Sequence, residues 1–140
     1  LGFWDTNHNA GFYAPVSIFP NAPKDLIFHF EALCVLSALS HIHQTSRPSQ
    51  RIVIHTDSSN TFDIFNSMRC QAAYNHILKS AVDIIMAGSH DLRVLHISGT
   101  LNGVADSLSR FEFTRANRIA PGITIRPFQP PQVALGPSKK

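Results

Sequence analysis

Between Arg51 and Asn66 a β-branched run, Ile52-Val53-Ile54, ends on His55-Thr56-Asp57 and turns at once into a pattern in which Phe62, Phe65 and Met68 recur at helical spacing. A short buried strand that feeds straight into a helix restricts the chain to an α/β fold. Asp57 falls at the carboxyl end of that strand, where open α/β sheets place ligands and chemistry. Ser58 to Asn60 supply turn and cap residues, so Asp57 reads either as the cap of the following helix or as a functional carboxylate. The choice between them rests on partners elsewhere in the chain.

With 140 residues, 44% of them hydrophobic and 15% charged, the chain has the makings of one packed core. Its net charge of +3 and isoelectric point near 9.2 fit a polyanionic partner. The two cysteines, Cys34 and Cys70, form no disulfide framework or zinc spacing, which points to a reducing compartment. The longest apolar stretch, Ala32 to Leu39, is too short for a membrane span, and no basic leader precedes an apolar block. A soluble intracellular protein without a membrane partner is expected.

In chain order, Leu1 to Trp4 and Gly11 to Val16 form a hairpin around the polar turn Asp5 to Asn9. Pro15 to Pro23 is a loop. Leu26 to His43 is a helix apolar almost all round, hence packed on more than one side. Glu31 stands out within it, since its helical neighbours are Ile27, Phe28, Cys34 and Val35, and a carboxylate there needs a basic partner, a proton or a metal. A helix spans Ala72 to Ala87, with Gly88 placed as a left-handed stop. Leu92 to Ile97 is a strand. A turn from Ser98 to Gly103 leads to a short helix, Val104 to Arg110, buried through Val104 and Leu108. Asp106 lies in its first turns, where the helix dipole alone favours a carboxylate. From residue 113 to 140 five prolines interrupt a basic segment, read as an extended tail or linker. Within it, Gly122 to Arg126 alternates like a strand.

Three carboxylates thus stand in three suggestive settings: a buried helix, a strand end and a helix start. The motifs around them are Phe-His-Phe-Glu-Ala-Leu at Glu31, Ile-His-Thr-Asp-Ser-Ser-Asn at Asp57, and His-Ile-Ser-Gly-Thr-Leu-Asn-Gly-Val-Ala-Asp-Ser-Leu-Ser-Arg from His96 to Arg110. Residues 1 to 112 resemble the ribonuclease H domain of retroelement reverse transcriptases, and among these the fungal retrotransposons. The last motif is the most specific. It keeps the family's order and the ten-residue step from His96 to Asp106, with Ser98 in place of a proline.

The resemblance implies a ribonuclease H-like mixed sheet flanked by helices, and hydrolysis of RNA in RNA–DNA hybrids by two magnesium or manganese ions held on carboxylates. It gives Glu31, Asp57 and Asp106 as metal ligands and, with His96 assisting proton movement or product release, as catalytic residues. Asn60, Asn102 and Arg69, together with His96, become candidate contacts to nucleic acid through backbone and shape. His96 that only packs and Asn102 that only caps are the alternative readings of those two residues. The remainder of a polyprotein is the implied partner, in a cytoplasmic particle or the nucleus.

Relative to the family the chain is truncated at its amino-terminal side: the first, central strand and its Asp are missing. Asp5 is the nearest carboxylate, but it falls in the hairpin turn, at the wrong end of the strand. The two-metal site is therefore incomplete in this chain, and a non-catalytic ribonuclease H-like module that binds nucleic acid or protein stands beside the nuclease as the alternative function. The gap in the sheet is one that the segment Gly122 to Arg126, or a strand-sharing homodimer, could fill.

Overall fold

Free of glycine and proline, the stretch Lys24–Thr45 forms α1, a helix of 22 residues. The structure, a computed structural model, describes residues 1–15, 24–68 and 75–131. The loop from Val16 to Pro23, Arg69, Cys70 and the expected helix start from Ala72 lie outside the described residues. In α1, Ala32, Leu33, Val35, Leu36, Ser37, Ala38 and Leu39 are all buried, a run too dense for a single apolar stripe. The helix is accordingly enclosed by several neighbours, as its sequence requires. The Ser37 hydroxyl, buried with them, donates to the Leu33 carbonyl at 2.8 Å.

The neighbours of α1 are β3 (Arg51–Thr56), α2 (Ser59–Ser67) and α3 (Asn75–Gly88). With β4 (Asp91–His96) these elements make one of two compact units. β3 and β4 run parallel in register from Arg51↔Asp91 to Thr56↔His96. Period-two alternation turns Ile52, Ile54, Thr56 and Val94 inward. The opposite face carries Arg51, Val53, His55, Arg93 and Leu95, all exposed.

The junction of α3 and β4 departs from expectation. Gly88 stays helical, and the left-handed residue is Ser89, with φ of 52°. The glycine is needed for a different reason: a Cβ at residue 88 would overlap the imidazole of His90, which folds back over it. His90 is buried. Its Nδ1 accepts from the Gln50 backbone N–H at 3.1 Å, and its Nε2 lies 3.0 Å from Nδ1 of His43. Because Nδ1 is an acceptor, the proton of the neutral ring sits on Nε2 and is donated to His43. One side chain thereby joins the end of α1 to the entry of β3.

The other unit contains β1 (Gly2–Asp5), β2 (Ala10–Tyr13), a 3-10 turn (Gly99–Leu101), α4 (Gly103–Ser109), α5 (Phe113–Ile119) and β5 (Thr124–Pro127). β1 and β2 form the expected hairpin. Gly2 lets β1 lie directly on α4, since a Cβ there would sit 2.5 Å from the Ser109 nitrogen. The segment from Phe113, expected to be an extended tail, instead supplies α5 and β5. Val104 and Leu108 are buried as expected, but they form a core together with Ala116 and Ala120, against which Phe113, Ile123 and Ile125 pack. Apolar side chains from beyond Glu112 thus complete a core that α4 alone is too short to close.

Gly122 to Arg126 does contribute to a strand. β5 pairs parallel with β2 at the outer edge of the hairpin, giving the order β1-β2-β5. Instead of one mixed sheet, the described residues hold a mixed three-stranded sheet and a parallel two-stranded one. No described strand pairs with both. The architecture is α/β.

His90→Ala should destabilise the protein by about 2–4 kcal/mol in urea denaturation, because it empties a buried site and leaves the Gln50 N–H without an acceptor. Amide exchange at Gln50 should accelerate in the same variant. Unchanged stability would show that the His90 bonds are dispensable.

Candidate functional site

Where β3 ends, three consecutive residues take different environments. Thr56 points inward and is buried, Asp57 is exposed, and Ser58 is buried again. The Ser58 backbone N–H donates to Thr56 Oγ1 at 3.1 Å, which closes a tight turn around Asp57. Ser58, with extended φ and ψ, is the N-cap of α2, and its Oγ accepts from the Thr61 N–H at 3.2 Å. The capping role open to Asp57 therefore belongs to Ser58. Among the described residues Asp57 has neither a hydrogen bond nor an ion pair, and its carboxylate is presented outward at the carboxyl end of the strand.

Glu31 meets this turn from α1. Ser58 Oγ donates to Glu31 Oε1 at 3.1 Å, so a single hydroxyl both caps α2 and holds the glutamate. Glu31 is half-buried. Burial pushes its carboxyl above the ordinary glutamate value, the Ser58 bond pulls it back in part, and the negative charge of Asp57 raises it further. The basic partner expected as one way to accommodate Glu31 is absent among the described residues. What the structure supplies is a second carboxylate.

His96 ends β4 directly beside Thr56 in the parallel register. It reaches the same edge of the pair as Asp57 and remains exposed. Its ring stands edge-on to Phe62, centroids 6.2 Å apart, so it packs without being enclosed. Asn60 lies half-buried in the first turn of α2. Glu31, Asp57, Asn60 and His96 are therefore brought together at one edge of one unit. Sequence reasoning placed Ser58 among the turn and cap residues, as the structure has it, but missed its bond to Glu31. A shallow cavity of about 360 Å³ lined by Arg51, Ile52, Val53, Asp91 and Arg93 lies at the other end of the strands, away from these residues.

Asn102 and Asp106 belong to the other unit. Asn102 precedes α4 but makes no side-chain capping bond, so capping does not account for it. Asp106 is fully engaged: Oδ1 accepts from Arg110 Nε at 3.1 Å and Oδ2 from Arg115 Nη1 at 3.0 Å. Burial acts to raise its carboxyl, but hydrogen bonds and charge from Arg115 and Arg110 outweigh that and hold it below the usual carboxylate range. Asp5 serves its own hairpin turn, accepting from the Asn7 N–H at 3.1 Å and contacting His8 Nδ1 at 2.8 Å. Arg69 lies outside the described residues.

These environments differ in their suitability for a metal. Glu31 and Asp57 present carboxylates without a compensating cation, which is the donor chemistry a hard divalent ion requires. Asp106 does not fit in the same way, because guanidinium groups already meet both of its oxygens. Among the described residues no group of three or more His, Cys, Asp or Glu side chains forms a ready metal cage. No described helix is long and apolar enough to cross a membrane.

A raised carboxyl in the folded state gives a definite sign. The contribution of Glu31 favours folding below its unfolded pKa and is lost as pH rises through its higher folded pKa. Glu31→Gln should thus stabilise the metal-free protein at pH 7 by about 0.5–1 kcal/mol, the scale of a partly exposed charge interaction, and by less at pH 4. Urea denaturation at the two pH values tests this, and a less stable variant at pH 7 would refute it. Compared with protein-family models, curated proteins and solved structures, the chain matches none.

Proposed function

We propose that the chain is the ribonuclease H-type part of a retroelement polyprotein, with a ribonuclease H-like fold, and that its substrate is the RNA strand of an RNA–DNA hybrid. The observation that carries this reading is the Glu31–Asp57 pair, joined through Ser58 at the carboxyl end of β3 and lacking a counter-cation among the described residues. The resemblance of the motifs at Glu31, Asp57 and His96 to Arg110 supports it from the sequence side.

Magnesium or manganese, when bound, supplies a polarised phosphate oxygen and an activated water. The chain's own residues contribute the rest. Glu31 and Asp57 offer oxygen ligands and, in the bound state, relieve their mutual repulsion. The Thr56–Ser58 turn fixes where Asp57 points. His96, exposed on the adjacent strand end, is within the same edge and has a ring nitrogen to accept or return a proton. Asn60 and Asn102 offer amides suited to sugar and phosphate contacts, and the net charge of +3 favours a polyanion.

The pairing of Asp106 with two arginines favours a second reading, a ribonuclease H-like module that binds nucleic acid without cutting it. A labelled RNA–DNA hybrid incubated with the chain in magnesium, then in manganese, separates the two. Weak cleavage is expected, because the two-metal site is incomplete, and Asp57→Asn should reduce it by about a further hundredfold or more. Binding without cleavage in either metal would establish the non-catalytic module, and cleavage unaffected by Asp57→Asn would refute the assigned site.

A further inference from the structure

We infer that Arg115, together with Arg110, acts as a built-in counter-ion for Asp106, so that the position where the resemblance expects a divalent ion is held closed by arginine. This inference rests on the ribonuclease H-type reading above and concerns whether Asp106 itself is open to a cation.

The two arginines reach Asp106 from different directions. Arg110 is the C-cap of α4, one helical turn beyond Asp106, and its backbone N–H bonds back to the Asp106 and Ser107 carbonyls. Arg115 comes from α5 and can reach Asp106 only because the chain reverses between the helices. That reversal passes through Phe111 at φ of 60°, a left-handed conformation disfavoured for a bulky residue. It is held by the Glu112 N–H bond to the Ser107 carbonyl at 2.8 Å and by the rings of Tyr13 and Phe113 around Phe111. Arg115 Nη1 also lies 3.4 Å from Glu112 Oε1. A strained, packed turn therefore delivers one guanidinium to two carboxylates.

Charge at this cluster sums to zero, with Asp106 and Glu112 against Arg110 and Arg115. A divalent ion approaching Asp106 would meet two guanidinium groups and find no oxygen free of a donor. Among the described residues Glu31 and Asp57 have no such neutralisation. A first ion is thus taken up at Glu31 and Asp57, and one at Asp106 requires that Arg115 first let go.

The test is a Mn²⁺ titration of the full chain, reading paramagnetic broadening of backbone amides. In the native chain, broadening is expected around Glu31 and Asp57 and not at Ala105 to Ser107. Arg115→Ala should make the amides of Ala105 to Ser107 broaden at about two- to fivefold lower Mn²⁺, an effect of the size expected on losing a partly exposed ion-pair partner. Arg115→Lys should keep the native pattern. Early broadening at Ala105 to Ser107 in the native chain would overturn the inference, and so would a well-folded Arg115→Ala chain with no gain there. The native chain alone also decides: the Asp106 carboxyl carbon should not shift with Mg²⁺ at concentrations that shift Asp57. If only the Glu31 and Asp57 signals fail to respond, the metal reading of that pair falls, while the comparison at Asp106 still judges the counter-ion.

Discussion

Enclosure of α1 is the constraint on which the unit built from α1, β3, α2, α3 and β4 depends. A helix buried over most of Ala32 to Leu39 must be covered by several elements at once, and each fully buried leucine in it contributes about 1.5–3 kcal/mol relative to exposure. The same enclosure sets the position of Glu31. It lies at the margin, one residue before the fully buried stretch, next to the half-buried Phe28, His29 and Phe30. Further along α1 a carboxylate would be too costly to retain, and toward solvent its carboxyl would not be raised. The packing of a hydrophobic helix thus prepares an acid whose ionised form is disfavoured.

Ser58 carries that preparation into the strand. Alternation along β3 puts Thr56 inside and Asp57 outside, and the chain must then enter α2 without leaving its first N–H groups unpaired. Ser58 answers both needs, accepting from Thr61 and donating to Glu31. Helix capping and site geometry are therefore one hydrogen-bond arrangement, and a change at Ser58 would disturb both. Thr61 shows the remaining imperfection, with a hydroxyl that is buried and unpaired, a local cost of the kind found where a segment serves more than its own stability.

Features governed by local periodicity were legible in the sequence. The strand-to-helix step at Asp57, the many-sided burial of α1 and the Val104–Leu108 pair all follow from short-range pattern. Features created by contacts between distant residues were not. Gly88 reads as a helix stop because glycine usually is one, yet its lack of a side chain is used by His90, whose ring cannot be placed without knowing how β4 begins. The segment beyond Glu112 reads as a tail because its prolines break periodicity. It is nevertheless ordered by Ala116 and Ala120 against α4, and by backbone pairing of β5 with β2. Asp106 has the residue type and motif of a metal ligand, while its actual partner lies nine residues on, across a turn whose left-handed Phe111 no propensity rule would anticipate.

Charge environment separates the carboxylates that their motifs group together. Burial and a like charge raise Glu31, whereas paired arginines outweigh burial and lower Asp106. The first state is relieved by binding a cation. The second already contains its cation and gives up ion pairs to accept another. A motif specifies which residues are present, and the surrounding charges decide which of them are free to act. In this chain the freedom lies at the β3 edge, with Asp57 unpaired among the described residues and Glu31 held by a neutral hydroxyl. Asp106 is in the opposite state, since a further cation there would cost the arginine contacts that accompany the turn between α4 and α5.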